Sequence, residues 1–287
     1  MTGFRRLTGL DFAISLRDAD AQSNTGSSRR KKLLRAARLA VRNWRANAEL
    51  HDITEWDAIR LWRYSTSMLA TKHNVSFMEQ EEFARAYEAS VKAAKRDHWN
   101  AGMHFRIHQA IWSARHGLSI GGNLVELGTG RGIIFSAILT SISDWEARKN
   151  QIFLFDTFSS SAMDVETGFQ DETKGNSPVY AESLETTRSN FQKWSRVNLV
   201  QGLLPESLAT VDVGEIGFLH IDLNSHIVEQ ECLKLLWPSL RKGAIVLLDD
   251  YAHVNAERQY DAMNDAARGL GVDVLTLASG QGIILKP

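Results

Sequence analysis

From Gly121-Gly122 onward, short apolar runs alternate with amphipathic stretches of helix length. The runs are 123–127, 151–155, 197–201, 216–221, 244–248, 272–277 and 282–285. Runs apolar at successive positions suit strands covered on both faces, as in parallel sheets. Strand–helix alternation implies βαβ units with right-handed crossovers. The pattern predicts an α/β fold over 119–287: a seven-stranded, mostly parallel sheet with helices on both faces.

The chain before Gly121 has a different texture. Residues 1–28 end in the turn-rich stretch AQSNTGSS (21–28) and read as a flexible segment. Residues 29–118 read as a helical region or cap, since apolar positions recur at helical spacing. Within it Glu81, Glu82, Arg85 and Glu88 face away from Phe83, Ala84, Tyr87 and Val91. A second stripe joins Phe105, His108, Ile111 and Trp112, with His108 taken as a packing residue. One later stretch, from Asp156 to Leu184, is too long and polar for an ordinary connection. It starts at a strand end, where α/β proteins bind ligands, and is expected to form a substrate-facing lid.

Composition narrows the function classes. The 287 residues carry 33 Lys and Arg against 34 Asp and Glu, a formal net charge of −1. Nothing in that balance steers the chain toward nucleic acid or an anionic membrane. The basic run Arg29-Arg30-Lys31-Lys32 leads into Leu33, Leu34, Ala37 and Val41 and reads as a solvated helix start. No segment reaches the ~18 consecutive apolar residues of a membrane helix, and the N-terminus lacks a signal-peptide core. A soluble, cytoplasmic protein is expected. The single cysteine, Cys232, sits in an apolar helical pattern and reads as a small core residue.

Four strand ends carry candidate chemistry. Val125 to Gly132 reads VELGTGRG, directly after a strand and before a helix over 133–141. Its glycines allow a tight turn and close approach of backbone to a ligand. The spacing is E-x-G-x-G-x-G, not the dinucleotide G-x-G-x-x-G, and no phosphate-binding G-x-x-x-x-G-K-[ST] occurs. Asp156 ends the next strand, where a carboxylate can accept both hydroxyls of a ribose. Asp222 ends the strand 216–221, and Asp249 and Asp250 end the strand 244–248. Neighbouring strands lie about 4.8 Å apart, so these three acids converge on one cleft. Clustered carboxylates raise each other's pKa values unless a cation joins them, and hard oxygen ligands suit Mg²⁺. Helix caps or a solvated acidic rim are the bland alternatives.

With those residues in view, the sequence resembles the macrocin O-methyltransferase family from roughly Ile107 to the end. HIDLNSH (220–226), LLDDYAH (247–253) and SGQGIILKP (279–287) carry the likeness, with IHQAIWSARHGLSIGGNLVELG, LFDTF and VQGLLPESL. The resemblance implies a Rossmann-like class I methyltransferase fold, S-adenosylmethionine as donor and Mg²⁺ on Asp222, Asp249 and Asp250. It implies cofactor contacts from Glu126, Gly128, Thr129, Gly130, Arg131, Gly132, Asp156, Thr157 and Gly202. Arg131 is expected either to meet the cofactor carboxylate or to cap the region that follows it. The acceptor would be a hydroxyl of a small molecule, a sugar or natural-product intermediate. The metal would bind that hydroxyl, and Asp222, His226 or His253 would take its proton. Where the family often reads D-x-D, this chain has Asp222-Leu223-Asn224, a neutral third residue that predicts weak metal binding. Trp237 and Pro238 read as packing. No nucleic-acid or membrane partner is expected, and a homo-oligomer is left open. The rival readings are an inactive cofactor-binding scaffold and a nicotinamide-dependent oxidoreductase on the same architecture.

Overall fold

The structure, a computed structural model, describes residues 64–66, 69–71, 73–94, 102–158, 183–254 and 256–287. Residues 1–28, read as a flexible segment, the basic run and residues 159–182 of the expected lid lie outside the described residues. Two compact units divide the chain: Met1–Ser65 with Ala70–Asn74, and Thr66–Leu69 with Val75–Pro287. Apart from two short strands whose residues are divided between them, all elements below belong to the second.

Two three-residue strands, β1 (Tyr64–Thr66) and β2 (Leu69–Thr71), interrupt the region read as helical. Tyr64, Thr66 and Thr71 are aromatic or β-branched residues, which favour extended backbone. The helices α1 (Glu81–Ala94) and α2 (His104–Ser119) follow. Then come β3 (Asn123–Leu127), α3 (Ile133–Ser141), β4 (Ile152–Asp156), α4 (Leu184–Phe191), β5 (Val197–Gln201) and β6 (Ile216–Ile221). The chain finishes with α5 (His226–Leu236), β7 (Leu240–Leu248), α6 (Glu257–Gly269), β8 (Leu275–Thr276) and β9 (Gly282–Leu285). The sheet order is β5-β4-β3-β6-β7-β9-β8. β9 runs antiparallel to β7 and to β8, and the other pairings are parallel.

The seven-stranded, mostly parallel sheet expected from the apolar runs is therefore present, with shifted edges. β4 begins and ends one residue later than expected. β7 begins at Leu240 instead of Ala244, because Arg241, Lys242 and Gly243 break the apolar pattern while the strand still pairs Leu240 with Ile216. The run 272–277 shortens to β8, an edge strand whose two residues are both exposed.

Side-chain alternation sorts the strands between two cores. Leu124, Ile152, Leu154, Phe218, Ile245 and Leu247 pack with α1, α2 and α3. Val125, Leu127, Phe153, Phe155, Leu219, Ile221, Val246 and Leu248 pack with α5 and α6, where Cys232 is fully buried. Burial pushes the Cys232 thiol up to about 12, so it stays a protonated core group. Each fully buried Leu, Ile or Phe stabilises the fold by roughly 1.5–3 kcal/mol.

The stripe that seats α2 differs from the expected one. Ile107, Ala110, Ile111, Ala114 and Leu118 are buried, while Trp112 is 57% exposed and stacks on His116. The helix turns its small side chains to the sheet because it comes very close. A Cβ at Gly217 of β6 would stand 2.3 Å from the Gly117 carbonyl oxygen of α2. Phe105 and His108 instead pack on Phe77, with the His108 ring stacked at 4.2 Å, in keeping with a packing role. Gly217→Ala is expected to destabilise the fold by roughly 1–3 kcal/mol through this overlap. Urea unfolding of the variant checks it, and a midpoint equal to wild type would refute the close approach.

Candidate active site

The glycine loop turns from β3 into α3 with left-handed φ values at Gly128, Gly130 and Gly132. At Gly128 the need is steric as well, since a Cβ there would stand 1.9 Å from the Asp222 carbonyl oxygen. Among the described residues nothing stands within 4 Å of where a Gly130 side chain would be. Asp156 receives the Gly130 N–H on Oδ2 at 2.7 Å and the Phe158 N–H on Oδ1 at 2.7 Å. The carboxylate expected to hold a ribose thus ties the glycine loop to the end of β4, and its Oδ1 accepts from the Thr157 hydroxyl as well, at 3.5 Å. Thr157 lies beside it, and its carbonyl accepts from Gln201 Nε2. Gly202 donates its N–H to the Asp156 carbonyl at 3.0 Å. Arg131 donates to the Ala94 carbonyl at the end of α1 at 2.7 Å, a segment that precedes it, not the region after it. Thr187 and Asn190 of α4 hold the carbonyls of Gly130 and Arg131.

Parity along the strands decides what reaches the acid cluster. Glu126 pairs in register with His220, and His220 with Leu247. Glu126, His220, Asp222 and Asp249 therefore all belong to the α2 side of the sheet. Ladder bonds from Asp222 N–H to Leu127 and from Asp249 N–H to Ile221, each 2.9 Å, carry that placement past the strand ends. His220 is fully buried, with Nδ1 3.0 Å from Glu126 Oε1 and Nε2 3.6 Å from Asp249 Oδ1. Burial alone would discharge the imidazole, but Asp249 and Glu126 outweigh it and hold His220 up at about 10. Glu126 is itself raised by burial, with His220 pulling the other way. Thr129, next to this pair, is buried.

The three acids do converge, and Arg106 of α2 reaches into them. Its Nη2 meets Asp249 Oδ2 in a short ion pair, the Asp249 carbonyl at 3.0 Å and Asp250 Oδ1 at 2.9 Å. Its Nε donates to Asp249 Oδ1 at 3.2 Å. Asp249 Oδ1 also accepts from Gln281 Nε2 at 2.7 Å. Burial raises the Asp249 carboxyl, but Arg106, His220 and Gln281 together hold it well below the usual carboxylate range. Asp222 moves the other way: burial first, then the charges of Asp249 and Asp250, raise it well above that range. Glu229, in the first turn of α5, is pushed up to about 8 by burial and by Asp250 while it holds backbone N–H groups of the Asp222 loop.

A divalent ion does not fit this arrangement. Asp249 has both oxygens engaged by donors of its own chain, and a guanidinium already lies between Asp249 and Asp250. A dication there would meet a like charge at ion-pair distance. Among the described residues, no three His, Cys, Asp or Glu side chains are disposed to hold a metal. Asn224 is exposed with φ 57°, a left-handed turn that asparagine tolerates. His226 opens α5 half-buried, and His253 lies in the turn after β7 with Nδ1 3.2 Å from the Val254 carbonyl oxygen. Trp237 packs under the Lys286 ammonium, as a packing residue should.

Arg106, Gln281, His220 and Glu229 are site residues that the strand-end reading did not name. Two of them left a signal. His220 lies within an apolar run, and Glu229 follows a strand-end acid by one helical turn; a buried polar group in either place requires a partner.

Comparisons with known proteins place the chain in a family. The family model of macrocin O-methyltransferase (TylF) matches residues 71–278. A 4'-O-methyltransferase of Streptomyces olivaceus, named for 8-demethyl-8-(2,3-dimethoxy-alpha-L-rhamnosyl)-tetracenomycin-C, is 27% identical over 181 residues, 58% of this chain and 66% of its own. Demethyldecarbamoylnovobiocin O-methyltransferase of Streptomyces niveus is 26% identical over 146 residues, 47% of this chain and 55% of its own. This chain thus spans less than two thirds of either relative. The solved O-methyltransferase NovP superposes with a TM-score of 0.54 at 20% identity, over 63% of this chain and 79% of that one, a likeness of fold. No described helix is long and apolar enough to cross a membrane. By the extent of the family match and the strand-end chemistry it covers, the chain belongs to the macrocin O-methyltransferase family.

Proposed function

We propose that this chain transfers the methyl group of S-adenosylmethionine to a hydroxyl oxygen of a sugar-bearing or other natural-product intermediate. The observation that carries the reading is the glycine loop, bare of side chains at Gly130 and tied there to Asp156 at the adjacent strand end, in a chain of this family. Both curated relatives are named as O-methyltransferases, one of them of a rhamnosyl-bearing tetracenomycin, which supports a hydroxyl acceptor. The spacing of the glycines and the family membership leave the nicotinamide oxidoreductase without support.

The donor, when bound, supplies an electrophilic methyl carbon on a sulfonium. Gly128 to Gly132 would let it lie against the backbone, and Asp156 would accept the ribose hydroxyls. Asp222 is the preferred base, on the α2 side of the sheet beside Asp249. It accepts the acceptor's hydroxyl proton as the new O–C bond forms and the S–C bond breaks, leaving S-adenosylhomocysteine. His226 and His253 are the alternative bases. Alignment of the acceptor oxygen by fixed side chains supplies much of the acceleration, on the order of 7–11 kcal/mol in well-oriented systems. No step passes through Mg²⁺, for which the strand ends leave no place.

Titration calorimetry with S-adenosylhomocysteine tests the reading. Wild type is expected to bind, and Asp156→Ala to bind at least about tenfold more weakly, a loss of roughly 1.4 kcal/mol. No binding by the wild type at millimolar ligand would remove the methyltransferase reading. Equal affinities would remove Asp156 from the site.

A further inference from the structure

The resemblance to the family implies a divalent cation on Asp222, Asp249 and Asp250, and the side chains present do not accommodate one. We propose that Arg106 is the resident cation of this carboxylate cluster, so that the chain positions its acceptor with a guanidinium and binds no divalent ion at the strand ends.

Three observations carry it. The first is saturation. Four hydrogen bonds run from Arg106 to Asp249 and Asp250, and Gln281 takes a further position on Asp249 Oδ1. The second is burial. The Arg106 side chain is 13% exposed and that of Asp249 6%, so this pair is not a surface contact screened by water. A guanidinium in so dry a position needs its carboxylates, and the planar fork suits two of them at once.

The third is that the fold builds the position. The close approach of Gly117 to Gly217 sets α2 against β6. One turn along α2 from Arg106, Gln109 Oε1 accepts the Ser279 hydroxyl at 2.7 Å, and Ser279 in turn meets Gln281. Two successive turns of one helix therefore fix both the cation and the amide that share Asp249.

Arg106 Nη1 makes no hydrogen bond to a described residue, leaving two N–H donors for an acceptor oxygen. A guanidinium orients a hydroxyl but polarises it less than a metal would, which places the demand for proton removal on the base. This part rests on the reading of the chain as an O-methyltransferase; the occupancy of the cluster does not.

Mn²⁺, titrated against the full chain and followed by electron paramagnetic resonance of the free ion, tests the occupancy. Wild type is expected to show no binding that Asp249→Asn removes. Arg106→Ala, with the guanidinium gone and the acids kept, is expected to gain one site at least about tenfold tighter than anything in wild type. Adding Asp249→Asn to Arg106→Ala should abolish the gain. A residue that merely stabilises the fold would not create an ion site on removal. Arg106→Gln repeats the test if Arg106→Ala fails to fold. Wild type binding one Mn²⁺ that Asp249→Asn removes would overturn the proposal without any Arg106 variant. A folded Arg106 variant that binds S-adenosylhomocysteine but gains no Mn²⁺ site would overturn it too. Failure of wild type to bind S-adenosylhomocysteine would instead strike the methyltransferase reading and leave the Mn²⁺ result standing.

Discussion

Gly128→Ala is expected to destabilise the protein by at least about 3 kcal/mol and to weaken S-adenosylhomocysteine binding by more than about a hundredfold, although it adds a single methyl group. Gly128 has φ +88°, where a side chain costs roughly 1–2 kcal/mol on backbone grounds alone. The larger cost is contact. The new Cβ would stand 1.9 Å from the Asp222 carbonyl oxygen, with Leu223 Cδ2 also close at 3.3 Å. Asp222 cannot retreat freely, because its N–H is bound to the Leu127 carbonyl at 2.9 Å and extends the ladder between β3 and β6. Relief therefore displaces either the glycine loop or the proposed base. Gly130→Ala supplies the contrast. Its Cβ meets nothing within 4 Å, so stability should fall by only about 1 kcal/mol while ligand affinity still drops, because the methyl fills the space proposed for the cofactor. Urea unfolding and calorimetry separate the two effects. A Gly128→Ala protein with the wild-type midpoint and an affinity within about threefold of wild type would show that the loop is not packed this tightly.

Much of this was legible in the chain because burial on both faces leaves a dense apolar signature. The runs at 123–127, 197–201, 216–221 and 282–285 coincide with β3, β5, β6 and β9. The strand ends were legible for the same reason, since a charged residue closing a run is conspicuous. What stayed hidden was the partner of the acids. Arg106 lies on a helix whose buried stripe was placed on Phe105, His108, Ile111 and Trp112, the bulky residues. The helix in fact turns Ile107, Ala110, Ala114 and Gly117 to the sheet. Had the small residues set the phase, Arg106 and Gln109 would have fallen beside the strand ends. Hydrophobicity alone misjudges a helix that must approach a sheet at glycine distance.

The expectation of a metal turns on the same gap. Three converging carboxylates do require a cation. The sequence shows the acids at adjacent strand ends but not which distant segment returns to neutralise them. Arg106 is 143 residues from Asp249, and only the crossover order of the sheet brings the two together.

His220→Leu is the second variant with a large expected effect, a loss of roughly 3–5 kcal/mol in unfolding free energy. Leucine suits the buried, apolar strand around it, so propensity and volume argue for a mild change. Electrostatics argues otherwise and is expected to win. The imidazolium lies between Glu126 at 3.0 Å and Asp249 at 3.6 Å with no access to water. Its removal leaves Glu126 Oε1 without that partner in the core, while Asp249 retains Arg106 and Gln281. The cost therefore falls mainly on Glu126, which can escape part of it by taking up a proton. That escape makes a sharp test. Glu126→Gln should be milder than His220→Leu, because the amide carries no charge to strand. Combining the two should cost less than their sum by at least about 1 kcal/mol, because the second substitution removes the group that the first left unpaired. Urea unfolding of wild type, both single variants and the double variant gives this cycle directly. Additivity within about 0.5 kcal/mol would mean that His220 and Glu126 do not interact as a charged pair, and that no side-chain ion pair adds to the backbone ladder between β3 and β6 at this level.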